Sequence, residues 1–458
     1  MGKCRVNMKA LIIAAGQRSQ LNDLTKDKPK SLIQLLGLSL IERVILTAKQ
    51  AGINEFVIVI GYRGEKIKEK LGDGKRYEAK ITYIENREWQ SGDGASVLKA
   101  KELLNENFVL LMANHIVDSR ILEAIVNTDF SGAALLAIDR SRPSKEDTKV
   151  LEKNGKIIAI GKEIKNSNGI ATGIFVCAPK IFYYLEKSVR NDRNELKDGI
   201  GEAAKEYGVE IFDIMNIESY VPHLRKKIPP FWKDTNTEKD LREAEHLLIE
   251  NTCRGTNDLL ALYFNKPIEN FIVSKLANTK ITPNQVTFLT NLLAYVATFL
   301  FFYGYLLPAT LITFVVSLLD GVDGKLARVK LLFSKFGRLE HAFDYLFEHS
   351  WYIALALYLI REHGILPLTL CAFILFFDGF VTHITWRFEE TIGVQLYDYS
   401  KPERIFRRFD GRKNSYIILI LIGVLLGVPL YSLIAMTVLS LASAIFYGAR
   451  ATKHLYRH

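Results

Sequence analysis

From about residue 285 the chain alternates long apolar runs with short loops, and no other feature limits its possible folds so sharply. Six runs, at 286–306, 308–324, 345–361, 365–386, 414–430 and 431–448, each come near the length that crosses roughly 30 Å of hydrocarbon. Backbone polar groups cannot be left unpaired in lipid, so runs of this kind must be helices. The second run is short unless the "DGVD" stretch at 320–323 continues its helix. The loops sort by charge. The 325–338 loop (Lys325, Arg328, Lys330, Lys335, Arg338), the 387–413 loop (Arg387, Lys401, Arg404, Arg407, Arg408, Arg412, Lys413) and the tail "RATKHLYRH" are basic. Those near 305, 363 and 429 are nearly free of Lys and Arg, with Arg361 the main exception. The positive-inside rule then predicts an integral, multi-pass protein of the cell membrane with both termini in the cytoplasm.

Before about residue 255 charged and apolar residues are interspersed as in a soluble protein. The overall 24% charged and 49% hydrophobic composition therefore averages two regions suited to two solvents. We expect a soluble domain over 1–250, a linker over 251–285 and a transmembrane domain over 286–458. The linker includes an amphipathic helix with Leu259, Leu260, Tyr263 and Phe264 on its apolar stripe, placed to lie in the membrane interface or to pack on the membrane domain. Cys4, Cys177, Cys253 and Cys371 lie far apart without a C-x-x-C pair, which suggests neither a disulfide framework nor zinc and suits a reducing cytosol. "ALIIAAG" at 10–16 is too short for a secretion signal and reads as a buried strand entering a turn. The net charge is +10, with the basic residues of the second half beside the apolar runs. Membrane lipids and phosphate-bearing substrates are the expected partners, and no nucleic acid.

Where the second apolar run stops, the chain reads "DGVDGKLARVKLLFSKFGRLEHAFD", residues 320–344. On a continued helix Asp320, Asp323, Gly324, Ala327 and Arg328 fall at i, i+3, i+4, i+7 and i+8 and share one face. Glu340, Asp344 and Glu348 share a face of the next helix. Two antiparallel helices would bring these acids together, and they repel one another unless cations intervene. Oxygen-only ligands favour magnesium, manganese or calcium over zinc, so the cluster reads as a divalent site for a pyrophosphate. The plainer alternative, acids snorkelling to water, suits a single residue such as Glu348 better than the whole set.

The run from Asp320 to Arg328, followed by Gly337, resembles the signature of the CDP-alcohol phosphotransferases: D-x-x-D-G-x-x-A-R, a glycine eight or nine residues later, and two further aspartates four apart. "KITPNQVTFLTNLL" (280–293) is similar to that family's approach to its first membrane helix, and "KPERIFRRFD" (401–410) to its basic loop before the fifth. The resemblance implies an all-α six-helix transmembrane domain, commonly a homodimer. Such enzymes use Mg2+ or Mn2+ to move a phosphoalcohol from a CDP-alcohol to an acceptor hydroxyl, releasing CMP. Carried over, Asp320 and Asp323 would hold metal, Gly324, Ala327 and Gly337 would make room for the nucleotide, Arg328 would pair with its phosphates, and the last aspartate would be the general base. Counting strictly from Gly337 puts the final acids at His341 and Tyr345. A one-residue deletion in the loop restores them as Glu340 and Asp344, the preferred alignment because both keep carboxylate oxygens. His341 stays open as an alternative base or ligand. Lys401, Arg404, Arg407 and Arg408 are candidates to hold a phosphorylated acceptor, or to anchor on anionic headgroups.

In the first half, "LIIAAG", an amphipathic helix at about 39–51, and "EFVIVIG", "ITYIE", "FVLLMA", "GAALLAI" and "ATGIFVC" alternate as in an α/β protein with a mostly parallel sheet and a ligand at its carboxyl edge. The strand, its A-A-G loop (Ala15, Gly16), the K-P-K run (Lys28, Pro29, Lys30) and "PFWKDTNTEKDLREAEHLL" resemble the nucleotidyltransferases that make NDP-sugars, which implies a Rossmann-like mixed sheet. The loop departs from the family pattern at Arg18 and Gln20. Asn114 and Asn236 stand where that family keeps magnesium aspartates, Asp93 where an Asn is usual, and Ala171 where an Asp is common. Either the transfer chemistry is impaired, or Asp23, Asp93, His115 and Asp234 hold metal by another route.

Together the halves resemble the bifunctional family that fuses an inositol-1-phosphate cytidylyltransferase to a di-myo-inositol phosphate phosphate synthase. This implies CTP and inositol 1-phosphate as substrates of the first domain. The second would use CDP-inositol and inositol 1-phosphate, with both sites cytoplasmic. Competing expectations are a phospholipid synthase with a CDP-diacylglycerol-type donor and a membrane-anchored nucleotide-binding protein with decayed sites.

Overall fold

A computed structural model describes residues 8–17, 21, 25–255, 258–332 and 340–456, the side chains of Glu340 and His341 excepted. Arg18, Gln20, Asp23 and Gly337 lie outside the described residues. The chain divides into two compact units, 1–219 with 228–247 and 220–227 with 248–458.

The first unit is built on a nine-stranded mixed sheet. Across it the strands run Lys80–Glu85, Glu55–Ile60, Lys9–Ala14, Phe108–Met112, Gly169–Cys177, Ala134–Asp139, Val209–Asp213, Lys156–Gly161 and Lys149–Lys153. The first four are mutually parallel, and Gly169–Cys177 enters antiparallel to both of its neighbours. Leu11 and Ile12 point to opposite faces and both are fully buried, which explains the unbroken apolar run of the first strand. One face is covered by Leu40–Gln50 and Ser119–Val126, the other by Ile181–Val189 and Leu196–Glu206. The helix expected at 39–51 begins where the sequence marks it. Ser39 caps the Glu42 N–H, and the Glu42 carboxylate accepts back from the Ser39 N–H at 2.9 Å. Lys9–Ala14 lies between Glu55–Ile60 and Phe108–Met112, so the chain reverses its direction of sheet growth there. That opens a crevice at the strands' carboxyl ends.

The second unit is helical apart from a short hairpin, Tyr220–Val221 against Lys226–Lys227. Its long helices are Pro283–Tyr303, Leu306–Val329, Glu340–His363, Leu366–Ile392, Lys413–Leu425 and Pro429–Leu455. Among the described residues four are long and apolar enough to cross a membrane: Pro283–Tyr303, Leu306–Val329, Leu366–Ile392 and Pro429–Leu455. Lys413–Leu425 has 13 residues, because Gly427 turns at φ 70° and Pro429 starts the next helix. Thr282 and Gln285 form a capping box ahead of Pro283, so "TPNQ" starts the first long helix by its own chemistry. The core holds Phe301, Trp351, Tyr352 and Tyr416, with the Trp351 indole N–H donating to the Ala294 carbonyl at 2.9 Å. Outward, Phe299, Leu311, Phe376 and Ile445 are exposed, as a lipid-facing surface requires.

Candidate active sites

The crevice of the first unit is a cavity of about 1220 Å³. Gly16 of the A-A-G loop lines it and faces open space, while Ala15 is buried beneath. Of the two lysines in "KPK", Lys30 reaches the cavity and Lys28 does not line it, a distinction that spacing alone does not provide. The short strand Trp232–Asp234 pairs with His115–Val117, which sets Asn236 beside Asn114 on the wall; the Thr235 hydroxyl donates to the Asn114 carbonyl at 2.7 Å.

Here the polar groups are already engaged. The Lys30 ammonium donates to Asn236 Oδ1, and the Asn236 amide donates to Asp234 at 2.5 Å. Burial pulls Lys30 down to about 8, against the attraction of Asp234 and Asp240. His115 donates to the Thr172 carbonyl at 2.9 Å, and burial holds its imidazole down to about 4, so it is neutral. Asp93 accepts the Leu196 N–H at 2.7 Å, which commits one of its oxygens to starting a helix; burial pushes its carboxyl up. Ala171 lines the cavity without a polar group. A divalent cation does not fit this donor set. The oxygen that Asn236 offers is held by an ammonium, and no group of three metal-ligating side chains converges among the described residues.

In the second unit Leu306–Val329 runs unbroken through "DGVDGKLAR", so Asp320, Asp323, Gly324, Ala327 and Arg328 do share one helical face. Asp323 is 2% exposed and accepts from the Thr287 hydroxyl at 2.7 Å and from the Gly324 N–H at 2.6 Å. Arg328 donates through Nε to the Thr252 carbonyl at 3.0 Å, and its guanidinium lies 3.3 Å from where a Cβ at Gly324 would stand. Gly321 is needed for packing, since a Cβ there would come within 2.4 Å of the Glu269 carboxyl. Glu269 in turn holds Lys325 at 2.9 Å. Asp344 and Glu348 are half-buried on the next helix; the side chains of Glu340 and His341 lie outside the described residues. The sequence did not single out Lys413. Its ammonium hydrogen-bonds Asp320 and lies in the field of Glu348 and Asp344. It is one of seven cations in its loop, and only packing sets it apart.

Asp320, Glu348 and Asp344 set their negative charge around the Lys413 ammonium, and among the described residues no group of three metal-ligating side chains converges here either. Of the basic loop, Arg407 is buried and pairs with Asp410 at 3.1 Å, whereas Lys401, Arg404 and Arg408 are exposed.

Residues 9–251 match the family model of nucleotidyl transferases, and residues 280–447 that of the CDP-alcohol phosphatidyltransferases. The Aquifex aeolicus protein named bifunctional IPC transferase and DIPP synthase is 28% identical over 424 residues, 91% of this chain and 92% of its own. Its Thermococcus kodakarensis namesake is 28% identical over 422 residues, 91% of this chain and 90% of its own. A solved structure of the inositol-1-phosphate CTP transferase from T. maritima aligns with 54% of this chain and 95% of its own, at 22% identity and a TM-score of 0.45.

Proposed function

The chain belongs to the nucleotidyl transferase family, and from that premise we propose that it is a bifunctional membrane enzyme. Its second unit transfers inositol phosphate from CDP-inositol to inositol 1-phosphate with release of CMP. The observation that carries this is the unbroken helix that sets Asp320, Asp323 and Arg328 on one face, with Asp344 on the following helix. Length-wide similarity to proteins named IPC transferase and DIPP synthase supports the choice of substrates.

The chemistry follows from charge. A pyrophosphate repels an incoming oxygen until its own oxygens are neutralised, and a divalent cation supplies that neutralisation when bound. Arg328 pairs with the nucleotide phosphates, and Gly324 and Ala327 leave room for the nucleotide. Asp344 takes the proton of the acceptor hydroxyl as its oxygen bonds to the inositol-bearing phosphorus. The bond from that phosphorus to the bridging oxygen breaks, and CMP leaves with that oxygen. Lys401, Arg404, Arg407 and Arg408 supply the positive field for the acceptor's phosphate.

The first unit is a cytidylyltransferase fold that binds CTP and inositol 1-phosphate with weakened transfer chemistry, because Asn114 and Asn236 carry no charge. Both sites are cytoplasmic and the second unit spans the membrane six times. Glu340–His363, at 24 residues, is long enough to be the third span. The soluble region extends to about 250, and the exposed Tyr263, Phe264 and Phe271 of the linker lie in the membrane interface. Purified protein given radiolabelled CDP-inositol, inositol 1-phosphate and magnesium should release CMP. Release only with a lipid donor would turn the assignment to phospholipid synthesis, and no release with any donor would end it.

A further inference from the structure

In the second unit the hairpin Tyr220–Lys227 carries Arg225 at its turn. Arg225 has a φ of 51°, a left-handed conformation that a residue with a side chain keeps only when its surroundings enforce it. The enforcement is visible. The Gly255 N–H donates to the Leu224 carbonyl at 2.7 Å, and a Cβ at Gly255 would come within 2.1 Å of the Arg225 carbonyl oxygen. The Tyr220 hydroxyl donates to Asp398 at 3.2 Å, and Lys226 donates to the Glu250 carbonyl at 3.2 Å. The hairpin is locked in place.

What it delivers is positive charge to a place already rich in it. Burial, then the repulsion of Arg407 and Arg254, hold the Arg225 guanidinium down to about 10, offset in part by Asp398. The nearby Asp410 uses Oδ2 alone for Arg407 at 3.1 Å, Arg412 at 3.3 Å and the Tyr447 hydroxyl at 2.8 Å; its Oδ1 is buried without a hydrogen-bond partner among the described residues, and its charge also acts on Arg225. Arg225 makes no ion pair among the described residues. A second observation is independent of charge counting. Arg407, 4% exposed and stacked 3.8 Å over the Tyr397 ring, keeps a buried Nε without a hydrogen-bond partner among the described residues. Buried donors of this kind are costly unless an acceptor arrives.

We infer that Arg225, Arg254 and Arg407 form a pocket for a phosphate monoester, and that Arg225, supplied by the hairpin, is the residue that selects a phosphorylated acceptor over the free polyol. A strained turn and clustered guanidiniums are both explained by a dianion that accepts from all of them. The identity of the acceptor rests on the phosphotransfer proposed above; the pocket itself does not.

The test is calorimetric titration of inositol 1-phosphate into the full chain in phosphatidylcholine nanodiscs, fitted to two sites because the first unit is proposed to bind the same ligand, beside acceptor kinetics that read the second unit alone. Arg225→Gln should weaken binding by about tenfold to a hundredfold, the range of a lost charged hydrogen bond. The acceptor KM should rise by the same factor, with kcat at saturation moving far less. Arg225→Gly fits the left-handed backbone without strain and should lose as much, while Arg225→Lys should recover part. Unphosphorylated inositol should bind all forms alike. Unchanged affinity in the Gln and Gly variants, or an equal loss for free inositol, overturns the pocket. If the substitution alters only the retention of phosphatidic acid added to the nanodiscs, the monoester is a lipid headgroup and the acceptor assignment falls. Binding that depends on Arg225 without any CMP release would sustain the pocket while removing the phosphotransfer.

Discussion

Each unit places a lysine ammonium on a side-chain oxygen at the position where phosphate chemistry is expected, yet the two lysines do opposite work. In the soluble cleft Lys30 meets a neutral amide, Asn236, so much of its charge remains available to an anion. In the helical unit Lys413 meets Asp320 in the field of Asp344 and Glu348, and the carboxylates outnumber it. Under the proposed function the first receives phosphate on Lys30 without a metal. Under the proposed function the second receives a cation before phosphate. The two lysines thus differ in the charge of the oxygen they meet, a neutral amide in the first unit and a carboxylate in the second.

The sharpest way to break this contrast is to make the second site resemble the first. Asp323→Asn keeps the shape and the Thr287 contact but removes a buried charge, and CMP release should fall by about 10⁴-fold. Asp344→Asn removes the proposed base and should cost about 10³-fold, within the span of general-base contributions. His341→Ala should leave the rate within about threefold of the wild type; a reversal of these two effects, read as CMP release, would move the alignment to His341. Lys413→Met takes away the resident cation. Manganese should then bind about tenfold more tightly by electron paramagnetic resonance, while the protein in chelator melts at lower temperature because its acids are left uncompensated. In the other direction, Asn236→Asp gives the cleft a charged oxygen. CDP-inositol formation from CTP should rise by about tenfold and become dependent on magnesium.

The legible parts of this molecule are those where one physical rule acts alone. "LIIAA", "EFVIVI" and "FVLLM" are readable as strands because they are buried on both faces, and the amphipathic period at about 39–51 matches the helix Leu40–Gln50. The face shared by Asp320, Asp323 and Arg328 follows from helical period once the helix continues, which it does to Val329. What escaped the sequence depends on tertiary packing. The hairpin Lys149–Lys153 with Lys156–Gly161 has weak alternation and joins the sheet through partners distant in sequence, Val209–Asp213 on one strand and the start of Gly169–Cys177 on the other. The fifth apolar run, 414–430, holds a helix of 13 residues, Lys413–Leu425, because Gly427 and Pro429 turn the chain there, a boundary that hydropathy alone does not show. Lys413 and Arg225 carry no motif, Thr287 is not marked out within 280–293, and each gains its meaning from a partner 36 or more positions away in sequence.

The smallest effect tests the soluble side of the contrast by pH. Burial lowers Lys30 to about 8, so its ammonium is charged below that pH and lost above it. Affinity for CTP, followed by titration calorimetry, should be flat from pH 6 to about 7.5 and then fall severalfold by pH 9 as the charge disappears. The unliganded protein should behave in the opposite sense. The folded pKa lies below the unfolded value of 10.5, so the unfolded chain binds more protons between about 8 and 10.5 and this group makes folding more favourable as pH rises through that window. His115 contributes to neither slope, since it is already neutral with its pKa near 4. Lys30→Met should flatten both curves. Affinity that stays level to pH 9.5 in the unmodified protein would mean that Lys30 serves Asn236 and Asp234 rather than the nucleotide, and the cleft would lose its claim to metal-free phosphate binding.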